Sequence, residues 1–415
     1  MTTDHRGRPR VAVTGVGVKT PAGTDVASFW DTVRAGRPTA APIERFDASA
    51  LAVTFASEVA GFDPVPYFGP KEARRNDRVT QLGFAAAADA LADAGELGAD
   101  PSRSAVVVGT GVGGIETHEK NQRIFLEKGA PRVSPFTVPM MMANGTAGVV
   151  AMQFGWTGPN ICIATACAAG AHAVGEAVRL VRDGTADVVM AGGAEACVTP
   201  MTIAAFARMG ALSGRNDAPE RASRPFDAER DGFVIGEGAA FLVIESLERA
   251  EARGARIYGE IAGYGRNADA YHITAPSPGG AGAVACMHLA LDDAGLDPSA
   301  IGHVNAHGTS TDLNDAAEAE AVHKVFGDDA PPVTSTKGVT GHLIGAAGAT
   351  EALATLLSLG EGVVPPTANL ERIGDDIGVD VVGGEARAIG SRPALSNSFG
   401  FGGHNATLIL TPAGE

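Results

Sequence analysis

Cysteine is scarce in this chain. There are four in 415 residues, Cys162, Cys167, Cys197 and Cys286, with no CxxC spacing among them. That pattern excludes a disulfide framework and a structural zinc site, and it points to a reducing, cytoplasmic compartment. Long apolar runs are missing as well. No stretch approaches the roughly 20 residues needed to span a bilayer. The segment Met1 to Arg10 is polar, without the apolar centre of a signal peptide. Positive charge is in deficit: 32 Lys and Arg face 48 Asp and Glu, a net charge of −16. A general nucleic-acid binder is excluded on that ground, and an acidic partner would have to dock on a local basic patch. What the chain has in quantity is glycine, 55 residues, within a composition that is 45% hydrophobic. That suits tightly packed α/β layers, and the length allows two subdomains.

Strand and helix signals alternate from end to end. Arg10 to Val18, Ala105 to Gly109, 160–164, Asp187 to Ala191 and Phe233 to Glu245 read as strands. Ala27 to Ala35, Asp77 to Ala94, Ile115 to Lys128 and 167–183 read as helices. This βα alternation predicts parallel sheet covered by helices. The two parts of the chain echo each other. Leu91-Ala92-Asp93-Ala94-Gly95 precedes a strand ending at Gly109-Thr110, and Leu291-Asp292-Asp293-Ala294-Gly295 precedes one ending at Gly308-Thr309. Ala168-Ala169-Gly170-Ala171 opens a helix after Cys167, and Ala346-Ala347-Gly348-Ala349 opens the helix 344–360 after Gly345. Matched elements in the same order imply a duplicated α/β unit, 10–255 and 256–412, with an active site between equivalent strand–helix junctions.

Only the first junction carries a cysteine. Cys167 stands where a β-branched run gives way to small helix formers. A thiol at a helix start meets free backbone N–H groups, which lower its pKa and make a nucleophile; a buried small hydrophobe is the alternative. Asn305-Ala306-His307-Gly308-Thr309-Ser310-Thr311 places His307 at a strand end, with Thr309 and Thr311 able to bond an amide-bearing substrate arm. A histidine bonded within its own turn would look the same. Ser335-Thr336-Lys337-Gly338-Val339-Thr340-Gly341-His342 holds a second histidine. Glu351 on the following helix is within reach of Lys337, either as a pair that fixes the His342 loop or as a solvated ion pair. Ser396-Asn397-Ser398-Phe399-Gly400-Phe401-Gly402-Gly403-His404-Asn405 can turn tightly enough to aim backbone N–H groups at one point, as an oxyanion hole requires, with a phenylalanine free to swing as a gate. A β-turn with core aromatics is the other reading. Gly109-Thr110-Gly111-Val112-Gly113-Gly114 matches a dinucleotide-binding loop, but no second strand ending in an acidic residue follows at the required distance, so Val112 reads as a pocket wall or subunit contact.

These motifs, in this order over residues 10 to 411, resemble the elongating β-ketoacyl-acyl-carrier-protein synthases of the thiolase superfamily, synthase II enzymes of fatty-acid synthesis in particular. Arg224-Pro225-Phe226-Asp227 and Arg230-Asp231-Gly232-Phe233 add to the likeness. The resemblance implies a five-layered αβαβα fold made by duplication, a homodimer with a seam and acyl pocket near Met140 to Gly155, and no cofactor beyond the phosphopantetheine of the carrier protein. It implies that Cys167 takes the acyl chain, that His307 and His342 support decarboxylation of malonyl, and that Lys337 with Glu351 orders the His342 loop. The N–H groups of Cys167 and Phe401 would hold the oxyanion, with Phe401 gating and Phe399, Thr309, Thr311 and Val112 lining the substrate path. Asn305, Glu351, Ser396 and Asn397 would surround a monovalent cation, if one binds. For the acidic carrier protein, Lys71, Arg74, Arg75 and Arg78 cluster on one predicted helix, extended by Arg132 and Arg208; a solvated helix face is the alternative. Ala168, Ala169 and His404 depart from hydroxyl residues common in relatives and leave the acyl preference open. A thiolase would need a second cysteine in the 396–405 loop, which has none. A non-catalytic chain-length partner would lack Cys167. A type II polyketide ketosynthase shares every catalytic residue.

Overall fold

Val11–Lys19 (β1), valines alternating with glycine and threonine, opens the first half of the computed structural model, which describes residues 1–414. Ser104–Gly109 (β2), Asn160–Ile163 (β3), Val188–Glu195 (β4) and Gly238–Ser246 (β5) complete that half. Their spatial order is β3-β2-β4-β5-β1, with β2, β3 and β4 parallel and β5 antiparallel to its neighbours. The second half comprises Gly259–Ala268 (β6), His303–Asn305 (β7), Val333–Thr334 (β8), Ala394–Gly400 (β9) and His404–Thr411 (β10). It repeats the order as β8-β7-β9-β10-β6, with the same directions. β1 and β6 touch at Ala12–Glu260 and Val13–Gly259, which links the two sheets at their edges.

Five helices set the layers: Arg78–Ala94 (α1), Ala169–Arg182 (α2), Ala281–Ala294 (α3), Asp312–Phe326 (α4) and Ala347–Glu361 (α5). α2 and α5 pack on each other between the sheets, α1 covers the outer face of the first sheet, and α3 with α4 covers that of the second. The α/β fold is therefore the five-layered αβαβα arrangement. The two-residue period of a strand divides each sheet between layers. In β5, Ala240, Leu242 and Ile244 join the central core, while Ala239, Phe241 and Val243 join the outer one. Glycine is required where layers come closest. A Cβ on Gly17 would lie 2.1 Å from the Ala86 carbonyl oxygen of α1, and one on Gly265 would lie 2.2 Å from that of Cys286 in α3. The starts of α2 and α5 cross in the same way: a Cβ on Gly170 would lie 2.8 Å from the Ala349 nitrogen.

Two expected elements are differently drawn. The long strand Phe233 to Glu245 begins only at Gly238. Residues 233–236 make single bridges instead, Ile235 with His342 among them, because their partners are loop segments at Leu212, His342 and Ser57 rather than a neighbouring strand. The helix expected to carry Lys71, Arg74, Arg75 and Arg78 is two helices. Val65–Ala73 ends after a kink at Gly69, and Asp77 caps α1 by accepting from the Val79 N–H.

Candidate active site

The strand–helix junctions after β3 and before α5 have one shape. Ala166 and Ile344 both adopt positive φ, 50° and 47°, a strained setting for residues with a Cβ. Each is the first residue of a 3-10 turn, Ala166–Ala168 and Ile344–Ala346, that leads into its helix. The first turn carries Cys167 and the second Gly345. Cys167 is thus just ahead of α2, buried at 7% exposure.

The fold brings both histidines to this thiol. The Cys167 Sγ and a ring nitrogen from each of His307 and His342 all lie within 4.8 Å of one another. The two imidazoles meet edge to face, centroids 5.3 Å apart. Their tautomers follow from their partners. His342 Nδ1 accepts from the Ile344 N–H at 3.2 Å, and His307 Nδ1 faces the Lys337 ammonium at 3.3 Å. Each Nδ1 is therefore an acceptor, so each proton sits on Nε2. Burial, and the Lys337 charge, hold both histidines well below their ordinary pKa. The site presents a thiol and two neutral N–H donors, suited to a developing oxyanion.

Lys337 is 1% exposed and pairs with Glu351, 2% exposed. Its ammonium also donates to the His307 carbonyl at 2.5 Å. Its side-chain contacts are to His307 and Glu351, while its own carbonyl accepts from the Gly341 N–H beside His342. His342 is held instead by backbone bonds to Val234 and Gly236.

Burial pushes the Cys167 thiol up to about 11, against the N–H groups of Phe401 and of Cys167 itself and the Lys337 charge. The expected lowering is thus reversed, since desolvation outweighs the donors at a fully enclosed sulfur. Those two N–H groups nonetheless point at the sulfur. Gly400 allows it: a Cβ there would lie 2.7 Å from the Thr165 carbonyl oxygen and 3.2 Å from the Cys167 nitrogen. Gly402 and Gly403, at φ 86° and 72°, close the turn.

A cavity of about 400 Å³ leads away from Cys167, lined by Phe399, Phe401, Thr309 and Thr311, with exposed Met209 and Leu313 at its rim. Val112 does not line it; it is 43% exposed elsewhere on the surface. The glycine-rich loop before it is wrapped around the fully buried Glu195, whose carboxylate accepts from the Gly111 N–H at 2.5 Å, the Thr110 hydroxyl at 3.0 Å and the Gly345 N–H at 3.1 Å. An internal anion thus occupies the donors a dinucleotide phosphate would need.

Three carboxylates escaped the sequence reading. Glu195 is one. Glu318 accepts from the N–H groups of His307 and Gly308 at 2.8 and 2.7 Å, and Asp315 from Thr309 at 2.9 Å. Burial raises Glu318 to about 7. Position gave no signal: Asp315 and Glu318 precede buried Ala319 and Val322 by four residues each, but α4 carries no one-sided apolar stripe to mark that face as buried. Of the residues proposed around a monovalent cation, Asn305 donates to Ser396 at 3.2 Å, and Asn397 is committed to Glu318 and Thr407. The second carboxylate oxygen of Glu351 is buried without a hydrogen-bond partner.

Among the basic residues, Lys71, Arg74, Arg132 and Arg208 are exposed. Arg75 lies over the Phe136 ring at 4.7 Å and pairs with Glu72. Arg78 is withdrawn from the surface set by its bonds to Glu237. Arg208 adjoins Met209 on the cavity rim.

Two family models match: "Beta-ketoacyl synthase, N-terminal domain" over residues 8–250 and "Beta-ketoacyl synthase, C-terminal domain" over 258–371. The chain is 49% identical to the 3-oxoacyl-[acyl-carrier-protein] synthase 2 of Synechocystis sp. over 409 residues, 97% of this chain and 98% of that protein. Among solved structures it is similar to the ishigamide ketosynthase/chain length factor, with TM-score 0.93 and 37% identity over 98% of this chain and 100% of that one. It also resembles a type II PKS acyl-carrier protein in complex with its ketosynthase, at TM-score 0.88 and 32% identity over 98% of this chain and 100% of that one.

Proposed function

The chain belongs to the β-ketoacyl synthase family, and from that membership we propose the roles its residues take in an elongating condensation. It is an acyltransferase that extends an acyl chain by two carbons in fatty-acid synthesis. The Cys167 sulfur attacks the carbonyl of an acyl thioester on the carrier protein. The C–S bond to the pantetheine breaks, its sulfur takes the proton, and the acyl chain stays on Cys167. Malonyl on a second carrier protein enters and loses carbon dioxide, the electron pair of that C–C bond forming an enolate. His307 and His342 donate Nε2–H to the enolate oxygen. The enolate carbon attacks the acyl carbonyl, whose oxyanion rests on the Cys167 and Phe401 N–H groups, and the thiolate departs. Phe401 gates the acyl path, Phe399 walls it, and Thr309 and Thr311 meet the pantetheine amides. A cation beside Glu351 would hold that carboxylate ionised; no step runs through it.

The observation that carries this reading is the convergence of Cys167, His307 and His342, with both Nδ1 atoms already engaged. It is tested by separating the half-reactions. His307→Ala or His342→Ala should slow decarboxylation of malonyl-carrier protein by about 10²-fold or more, while acyl loading of Cys167, followed by mass spectrometry, changes far less. Equal loss of both would overturn the division of labour. Better turnover of polyketide than of fatty-acyl donors would instead favour a type II polyketide ketosynthase, the reading suggested by the likeness to ketosynthase/chain length factor structures.

The carrier protein docks on Lys71, Arg74, Arg75, Arg132 and Arg208. Reversing charge at Arg74 and Arg75 should raise KM for carrier-bound donors severalfold, more so at low salt, with kcat little changed. Unchanged kinetics would remove the patch. Val112, Leu126, Val138, Met142 and Ile161 are exposed apolar residues within one stretch, and β3 is the unpaired end of the sheet. Both features suit a second copy of this chain across a two-fold axis. Sedimentation should give twice the chain mass of 42.0 kDa; a monomer at micromolar concentration would reject it. The four unpaired cysteines suit a cytoplasmic enzyme. Among the described residues no helix is long and apolar enough to cross a membrane.

A further inference from the structure

The two strand–helix junctions share backbone geometry but differ in one side-chain link. In the first, the Thr165 hydroxyl and His172 Nδ1 are 2.8 Å apart. Thr165 precedes the strained Ala166, and His172 lies in the first turn of α2, 8% exposed. In the second junction the corresponding positions are Leu343 and Thr350. Leu343 has no hydroxyl, and Thr350 donates back to the Ala346 carbonyl of its own turn at 3.0 Å. Only the junction that carries a thiol is tied in this way.

His172 also reaches the other side of the site. The carbonyls of Ala168 and Asn405 both face its ring, and Asn405 follows the hairpin turn that holds Phe401. The ring of His404 underlies that turn, since a Cβ on Gly402 would lie 3.1 Å from its Cδ2. Tyr264 closes the remaining side, edge on at 6.3 Å. If Thr165 donates to Nδ1, the ring proton is on Nε2, free to donate to a carbonyl. His172 is absent from the lining of the cavity that leads from Cys167.

We propose that His172 is a positioning residue for the condensation: its imidazole ties the turn carrying Cys167 to the hairpin carrying Phe401, and so sets the angle between the two N–H groups of the oxyanion hole. This deepens the reading of Cys167 as the acyl-accepting nucleophile and rests on it. The link also restrains Ala166 at a positive φ that its Cβ disfavours. Small displacements of such donors are costly, about 10²-fold in rate for about 1 Å.

The test compares wild type with His172→Ala, His172→Asn, Thr165→Val and Thr165→Ser in steady-state condensation with acyl- and malonyl-carrier proteins. His172→Ala and Thr165→Val should lower kcat by about 10- to 100-fold, with KM for either carrier protein within about threefold. Thr165→Ser keeps the hydroxyl and should recover most of the rate, whereas His172→Asn keeps an acceptor near the Nδ1 position without the Nε2 donor and should recover only part of it. Folded His172→Ala and Thr165→Val chains with wild-type kcat would overturn the proposal, as would equal losses in Thr165→Val and Thr165→Ser. If His172→Ala fails to fold, the Thr165 pair decides. A wild-type chain that does not condense at all would overturn the functional reading itself, a result distinct from loss in the variants alone.

Discussion

Cys167→Ala is expected to take up no acyl mass from any carrier-protein thioester and to lose condensation by about 10⁴-fold or more, the scale seen when a covalent nucleophile is removed. The loss should be chemical rather than structural. Cys167 occupies a site where alanine is smaller by one sulfur and the Phe401 N–H loses only a weak acceptor, so stability should change by no more than about 1–2 kcal/mol. Wild type should reveal the same thiol through pH. Burial raises its pKa to about 11, so at pH 7 the thiolate is a small fraction. Each unit of pH below that pKa increases the fraction about tenfold. Alkylation by iodoacetamide should therefore accelerate steeply from pH 7 to 10. A plateau by pH 8 would mean that the donors outweigh burial, and an acyl adduct on the Cys167→Ala chain would place the nucleophile elsewhere.

The second large effect concerns the buried pair behind His307. Lys337→Met should destabilise the protein by about 3–5 kcal/mol, because it leaves Glu351 enclosed without its counter-charge. It should also abolish most decarboxylation, since His307 loses the donor at Nδ1 and at its carbonyl. The two losses are separable. Lys337→Met combined with Glu351→Leu removes both charges and fills the space with apolar atoms, a change that is often neutral or stabilising. Denaturant midpoints of the double variant should return toward wild type while decarboxylation stays low. Recovery of both would make the pair a packing element only; recovery of neither would mean that stability rests on more than the charge balance.

Much of this was legible in the chain. The matched Ala-Ala-Gly-Ala segments after Cys167 and Gly345 do open equivalent helices, because small residues are required where those helices cross. Cys167, His307, His342, Lys337 and Phe401 could be picked out because each stands in or beside a glycine- or threonine-rich turn at an element's end, and Glu351 because its helix follows the Lys337 turn. Asp315 and Glu318 could not be, because on a helix a carboxylate turned inward looks like one turned to water until the partner donors are known. Of the two readings of Val112, pocket wall or subunit contact, the first fails for a related reason: the donors of its loop meet Glu195, which is 83 residues away in sequence.

The sequence by itself determined the fold class, the duplicated order of strands and helices, and the residue types able to condense an acyl chain, because hydrophobic period, glycine placement and side-chain chemistry are local properties. Tertiary structure alone decided which groups touch. It turned the Lys337 side chain to His307, raised the Cys167 thiol instead of lowering it, and divided the basic run between two helices and the turn that joins them. Those outcomes depend on desolvation and on contacts between segments far apart in the chain, and neither is a property of any residue's immediate neighbours.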